Sequence, residues 1–331
     1  MKPRAGFTRA SSLGHIADFV EGQGVSIARV FADADLPVGL LERPEGLLPL
    51  KDQFQLLERA ARRTGDAAFG ARLGTGVRIA NLSAFGKHVS AADTLGAAIA
   101  LASQHLAGML QTATVLGLMH GGGRAQMTLT LLEPASEGRT QHEQLALWYM
   151  IDIVRTFAGQ DWRPRFVATT ALRGSTRGSL EQIYGANVAM GRHNAAISFD
   201  EVLLARAKPH NLRPAVGDPL VFSEPVVPGD RDFCGTVYAI AELALHEGIP
   251  RVDWVAGKLG MTRRTLQRRL GACGVTFAAI TEAAMFARAK GMLIDERLAV
   301  TEVALRLGYQ DAAHFSRAFK RWSGVPPSAY R

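Results

Sequence analysis

The chain has 331 residues, 47% of them hydrophobic and 21% charged, with 34 glycines and 14 prolines. That balance excludes a disordered or fibrous chain and gives enough apolar material for two packed domains. The formal charge of +8 lies wholly in the last quarter, since residues 250–331 hold 14 Lys/Arg against 6 Asp/Glu of the chain's 38 and 30. A solubility device would be spread out, whereas a piece that meets a polyanion concentrates its charge.

No apolar run approaches the roughly 18 residues of a membrane span. The best candidate, Leu95 to Ala102, is cut off by Ser103, Gln104 and His105, and Asp18 and Glu21 interrupt what a signal peptide would need as its core. A cytoplasmic protein is expected. Cys234 and Cys273 are far apart and in no CxxC or Cys/His spacing, so neither a disulfide framework nor a zinc site is expected.

Leu50 to Arg63 and Thr94 to Leu110 carry apolar residues at one-sided helical spacing. Gln111 to Met119 and Ala125 to Leu132 read as strands around the turn His120-Gly-Gly-Gly123, whose glycines supply the positive φ a hairpin needs. A long helix is expected over Gln141 to Ala158, a strand over Arg165 to Thr170, a short helix over Ser179 to Tyr184, and strands over Asn187 to Met190 and Ala195 to Phe199. The fold class is α+β for this front domain, residues 1–210, with a sheet covered by helices. Pro209, Pro214, Pro219, Pro225 and Pro228, with Gly217 and Gly229, mark residues 211–232 as a linker. Residues 233–331 read as an all-α domain.

Within that domain a pattern is written twice. Val252, Val255, Ala256, Leu259 and Gly260 fall on Val300, Val303, Ala304, Leu307 and Gly308; with one residue inserted, Leu266 and Leu270 fall on Phe315 and Phe319. Each copy reads as a helix, a glycine turn and a second helix presented outward. Thr262 is placed as the cap of the first outward helix and Thr301 as a cap in the second copy. The first outward helix exposes Arg263, Arg264, Gln267, Arg268 and Arg269, with no acid between Met261 and Thr281. Such residues suit a major-groove reader: Arg pairs bidentately with guanine, Gln with adenine, and spare arginines reach phosphate. The second exposes Asp311, Ala312, His314, Ser316, Arg317, Lys320 and Arg321, better suited to phosphate than to rich base readout. A connecting helix over Phe277 to Ile294 would span ~27 Å, against ~34 Å between successive major-groove faces.

These features resemble the DNA-binding domain of the AraC family of bacterial transcription regulators. The stretch GYQDAAHFSRAFKRWSGVPPSAYR, from Gly308 to Arg331, is similar to that family's C-terminal signature nearly throughout. The resemblance implies DNA contacts at Thr262, Arg263, Arg264, Gln267 and Arg268, and at Ala312, Ala313, His314, Ser316, Arg317 and Lys320. Met285 departs from it, standing where the family usually has an arginine. TGDAAFGARLG, LSAFGKHVSAADTLGAAI and NAAISFDEVLLARAKP, beginning at Thr64, Leu82 and Asn194, resemble the effector and dimerisation domain of the family's non-cupin, arabinose-binding-like branch. This implies a small-molecule effector, a homodimer, RNA polymerase as a partner and, most commonly, activation. No cofactor or metal is implied, and no sugar is inferred.

Enzyme signatures are missing: the histidines are scattered, and Gly121 to Gly123 leads into a strand rather than the helix N-terminus a phosphate would need. The family's alkyl-acceptor repair proteins need a zinc-cysteine cluster that two cysteines do not make. The competing class is a non-enzymatic binder whose basic tail meets RNA or another anionic partner. Arg78, Phe85, His88, Trp148, Tyr149 and Arg155 are polar or aromatic residues near apolar faces of the front domain, with core packing as the alternative for the last aromatics.

Overall fold

The computed structural model describes residues 6–172, 176–209, 226–229 and 231–330. The chain divides into two compact units, Met1–Val227 and Pro228–Arg331. Most of the expected linker, residues 211–232, lies outside the described residues.

The front unit opens with β1 (Phe7–Arg9), α1 (Ile16–Glu21), α2 (Ile27–Asp33) and β2 (Leu47–Pro49), with β1 and β2 paired antiparallel. Helices α3 (Leu50–Thr64), α4 (Phe69–Gly74), α5 (Ser83–Ser90) and α6 (Leu95–Met109) follow. The hairpin β3 (Thr114–Gly121) and β4 (Arg124–Leu131) then leads into α7 (Arg139–Ala158), β5 (Phe166–Ala168), α8 (Arg177–Tyr184), β6 (Asn187–Ala189) and β7 (Ala195–Asp200). The second sheet has the order β3-β4-β7-β5-β6, antiparallel except for the β5–β6 pair.

The sheet follows its side chains. In β4, Ala125, Met127, Leu129 and Leu131 are buried and alternate with more exposed residues, the period of two that turns one face to the core. Gly121 pairs with Arg124, leaving Gly122 and Gly123 at φ 61° and 80° as the two-residue turn. Strand β3 begins at Thr114 rather than at the expected Gln111, because Ala113 sits at φ 54° and breaks the extended run.

Helix α7 runs through the core, with Leu147, Ile151, Val154 and Phe157 at most 1% exposed. Its polar residues are satisfied in place. Gln141 and Gln144 accept the Gly70 and Ala71 amides at 2.9 and 3.2 Å, covering free N–H groups at the start of α4. The buried Glu143 accepts the Thr170 amide and hydroxyl at 2.8 and 2.6 Å.

His142 lies in the same core, its ring 4.8 Å from Phe54 and 3.3 Å from Gln111 Nε2. Burial, assisted by Arg139, holds it neutral, with a pKa lowered to about 3. Between that value and the ordinary 6.5, the unfolded chain binds a proton that the folded chain does not. Stability is therefore complete above pH 6.5 and is lost as the pH falls, by at most about 1.4 kcal/mol per pH unit from this residue. The lowered pKa values of His15 and His88, both from burial first, act in the same direction. Denaturation at pH 7.5 and 5.5 should show a shallower pH dependence for His142→Gln than for the wild type; equal slopes would contradict the assignment.

The second unit holds α9 (Phe233–Ala244), α10 (Val252–Lys258), α11 (Arg263–Ala272), α12 (Phe277–Ile294), α13 (Val300–Arg306) and α14 (Ala312–Ser323). Its α13–α14 core joins Met292, Leu293, Val303, Leu307, Phe315 and Phe319 into one apolar cluster. Met285 is 3% exposed within it, so the departure at this position supplies core packing. Among the described residues no single helix is long and apolar enough to cross a membrane.

Candidate nucleic-acid interface

Each repeated unit is built by the same local chemistry. Helix α10 ends with the Met261 amide on Ala256 O and the Gly260 amide on Gly257 O, at 3.0 and 2.9 Å. Helix α13 ends likewise, with Tyr309 on Ala304 O and Gly308 on Leu305 O at 2.9 and 3.0 Å. This doubled closure needs a left-handed residue after the helix; Gly260 and Gly308 provide it at φ 62° and 81°.

The outward helices are then capped. Thr262 Oγ1 accepts the Thr265 amide at 3.3 Å and Asp311 Oδ1 the His314 amide at 2.6 Å, both the third residue of their helix. The extra residue of the second copy falls between the glycine and this cap. Thr301 is not a cap: α13 starts at Val300 with Ala299 at its N-cap, and Thr301 is an exposed first-turn residue. Asp311, expected only as a surface residue, is the cap, and an acid three positions before an amide of a new helix is the signal that identifies it.

On α11, Leu266 and Leu270 are fully buried, and Arg263, Arg264, Gln267 and Arg268 are exposed. Arg263 lies 3.9 Å from Asp253, with both side chains largely exposed, a contact of little energy. Arg269 departs from the expected outward face: it is half-buried, its guanidinium 4.1 Å above the Phe233 ring. On α14, Ala313, His314, Arg317 and Lys320 are exposed, while Ala312 and Ser316 are half-buried. Ser316 donates to the Ala312 carbonyl at 2.7 Å, and the His314 ring stands edge-on to Tyr309 at 5.3 Å. Arg321 is paired with Glu282 at 2.6 Å. Among the described residues Arg264, Arg268, Arg317 and Lys320 make no ion pair.

Helix α12 joins the two devices. The chain turns by 83° between α11 and α12, Thr276 caps the new helix by accepting the Ala279 amide at 3.1 Å, and its 18 residues cover about 27 Å.

A model described as the arabinose-binding domain of AraC transcription regulators, N-terminal, matches residues 24–207, and a helix-turn-helix domain model matches residues 255–331. The chain belongs to the AraC family of transcription regulators. This regulator is 26% identical to an uncharacterized HTH-type transcriptional regulator of Mycobacterium tuberculosis, covering 95% of this chain and 93% of that one. It is 24% identical to VirS of the same organism, over 98% and 96%, and 24% identical to the ornithine utilization regulator of Pseudomonas aeruginosa, over 96% and 94%. A crystal structure of the regulator CdpR from Pseudomonas aeruginosa is similar at 23% identity and a TM-score of 0.38, covering 79% of this chain and 85% of that one.

The front unit of the regulator has two concave regions that share Tyr149. An apolar cavity of about 60 Å³ lies among α5, α6, α7 and the β3–β4 hairpin, against Phe85, Leu106, Leu116, Leu129, His142 and Tyr149. A more polar cleft of about 250 Å³ is edged by Ser11, His15, Arg78, Asn81 and Tyr149. Of the residues singled out in the sequence, Phe85 and Tyr149 line the cavity and Arg78 the cleft, 3.9 Å from the buried Asp152. The other three have packing roles. Trp148 stacks on Tyr184 and under Arg155, at 5.6 and 5.0 Å, Arg155 donates to Trp162 O at 3.0 Å, and His88 meets His105 edge-on at 4.8 Å.

Proposed function

We propose that the regulator binds duplex DNA through α11 and α14, each set in a major groove, and that a small molecule bound by the front unit modulates the binding. The observation that carries this reading is the matched turn-and-cap geometry of the two devices together with the cations Arg264, Arg268, Arg317 and Lys320, which make no ion pair among the described residues. In it, Thr262, Arg263, Arg264, Gln267 and Arg268 serve the first groove, and Ala312, Ala313, His314, Ser316, Arg317 and Lys320 the second. Duplex is favoured over RNA because Trp254, Phe277, Phe315, Phe319 and Trp322 are all buried or half-buried, whereas RNA readers stack bases on exposed rings.

Residues 1–210 are the effector and dimerisation domain, 211–232 a linker and 233–331 the reader. An effector entering beside Tyr149 would act by linkage, favouring one arrangement of the front unit and so changing DNA affinity or contact with RNA polymerase. Activation is the expected outcome, and the cytoplasm the expected location. The chemistry is binding alone.

The test is selection of duplexes from a random pool by the full-length protein, followed by fluorescence anisotropy across a salt series. A consensus bound at least ~10³-fold tighter than scrambled duplex, read as two groove segments about one turn apart, supports the reading. Equal affinity for all duplexes would reduce the tail to an electrostatic anchor. On the selected site, Arg268→Ala is expected to cost about 1 to 3 kcal/mol and to relax preference at one base position. An equal loss on every sequence would mean that Arg268 touches phosphate only.

A further inference from the structure

Cys234 and Cys273 are separated in sequence by the whole first helix-turn-helix device, and the fold brings them together. Phe233, at the start of α9, lies under the Arg269 guanidinium at 4.1 Å. One residue further along α9, Cys234 has Cys273 as its neighbouring titratable group. Arg269 and Cys273 are four residues apart and so share one face of α11. The two contacts therefore mark a single seam between α9 and the end of the first reading helix, where Cys273 is the C-cap. Cys273 is exposed and Cys234 half-buried; both are free thiols.

We propose that Cys234 and Cys273 form a dithiol modification site whose substrate is a hydroperoxide, and that its oxidation to a disulfide re-aims α11 and weakens DNA binding. The exposed Cys273 reacts first. Its thiolate attacks a peroxide oxygen, the O–O bond breaks, and the released hydroxide takes a proton to become water, leaving a sulfenic acid. The Cys234 sulfur then attacks the Cys273 sulfur, the S–O bond breaks, and a second water leaves. Two thiols lose two electrons and two protons, and hydrogen peroxide becomes two waters. Burial, then the neighbouring Cys273, pushes the Cys234 thiol up, consistent with its role as the resolving partner. A thiol reductant reverses the bond by exchange.

The mechanical effect follows from the position. Two neighbouring sulfurs become bonded at about 2.05 Å, drawing the C-terminal end of α11 toward α9 and closing a covalent loop that holds α10 and α11. Arg264, Gln267 and Arg268 ride on the helix that is pulled.

The experiment uses the full-length protein treated with stoichiometric hydrogen peroxide, peptide mapping without reductant, and anisotropy on the selected duplex. The expected result is an intramolecular Cys234–Cys273 crosslink, a roughly tenfold rise in Kd, comparable to losing one good base contact, and recovery with dithiothreitol. Cys234→Ser and Cys273→Ser should bind DNA normally and lose the response. Absence of the crosslink overturns the proposal, as does a crosslinked protein of unchanged affinity. So does a Cys234→Ser protein that responds to peroxide as the wild type does, because sulfenic acid at Cys273 would then suffice. The crosslink is read without DNA, so its failure is distinct from failure of the DNA reading.

Discussion

A Gly138→Ala chain is expected to lose the native front unit altogether. Gly138 precedes α7 at φ 80°, and a β-carbon there would lie 1.8 Å from the Phe54 carbonyl oxygen and 3.0 Å from Glu58 Cβ. The obstacle is the backbone of α3, held within a packed helix pair, and no side-chain rotation relieves it. Gly24 separates the two contributions, because at φ 75° nothing lies within 4 Å of its added β-carbon. Gly24→Ala should therefore cost only the left-handed backbone penalty, about 1 to 2 kcal/mol. Gly138→Ala adds displacement of α3 from α7, beyond the 4 to 5 kcal/mol that marks exceptional substitutions. Urea denaturation of the two variants beside the wild type checks this. A Gly138→Ala midpoint as mild as that of Gly24→Ala would show that the α3–α7 junction can yield.

Phe319→Ala should have the next largest effect, about 3 to 5 kcal/mol. The side chain is fully buried, with ring neighbours Phe286, Phe315 and Tyr330 at 5.4, 5.7 and 5.1 Å. Each lies on a different piece of the second device or beside another ring, so truncation loosens α12, α14 and the C-terminal turn together. Against a typical total of 5 to 15 kcal/mol, such a loss leaves the second reader largely unformed. Phe319→Leu keeps most of the volume and should cost far less. The near-ultraviolet circular dichroism of the aromatic cluster should fall for the alanine variant. On DNA, its footprint should contract to the groove segment read by α11. A full two-segment footprint with normal stability would contradict the account.

Legibility from sequence tracked how local the determining physics was. Helix α12 was bounded at both residues, because Thr276 caps it and its start follows a glycine-ended helix. The hairpin tip was placed by its glycines, and the duplicated device by its apolar spacing. Errors arose where a local signal was overruled or ambiguous: Ala113 in a left-handed conformation shortened β3, and Thr301 resembled a cap while the chain started α13 one residue earlier. The first residues, from Phe7 to Pro49, fold into short strands and helices too brief for periodicity to register. Contacts across the sequence were not legible at all. The Arg269 stack on Phe233, the meeting of Cys234 with Cys273, and the sharing of Tyr149 between cavity and cleft each depend on helices brought together by the core. Trp148 and Arg155 carry no assignable role in the sequence, because polarity beside an apolar face has the same sequence signature whether the partner is a metabolite or another side chain.

Helix α12 carries one further consequence, for how such a chain can vary. Each residue added to a helix turns everything beyond it by roughly 100° and advances it by about 1.5 Å. A one-residue insertion in α12 would swing α14 away from the groove that α11 leaves for it, whatever the quality of its own contacts. In the proposed reading, the distance between two stretches of bases is thus recorded as a number of amino acids. Residues can be exchanged along that helix, but its length is not free to drift.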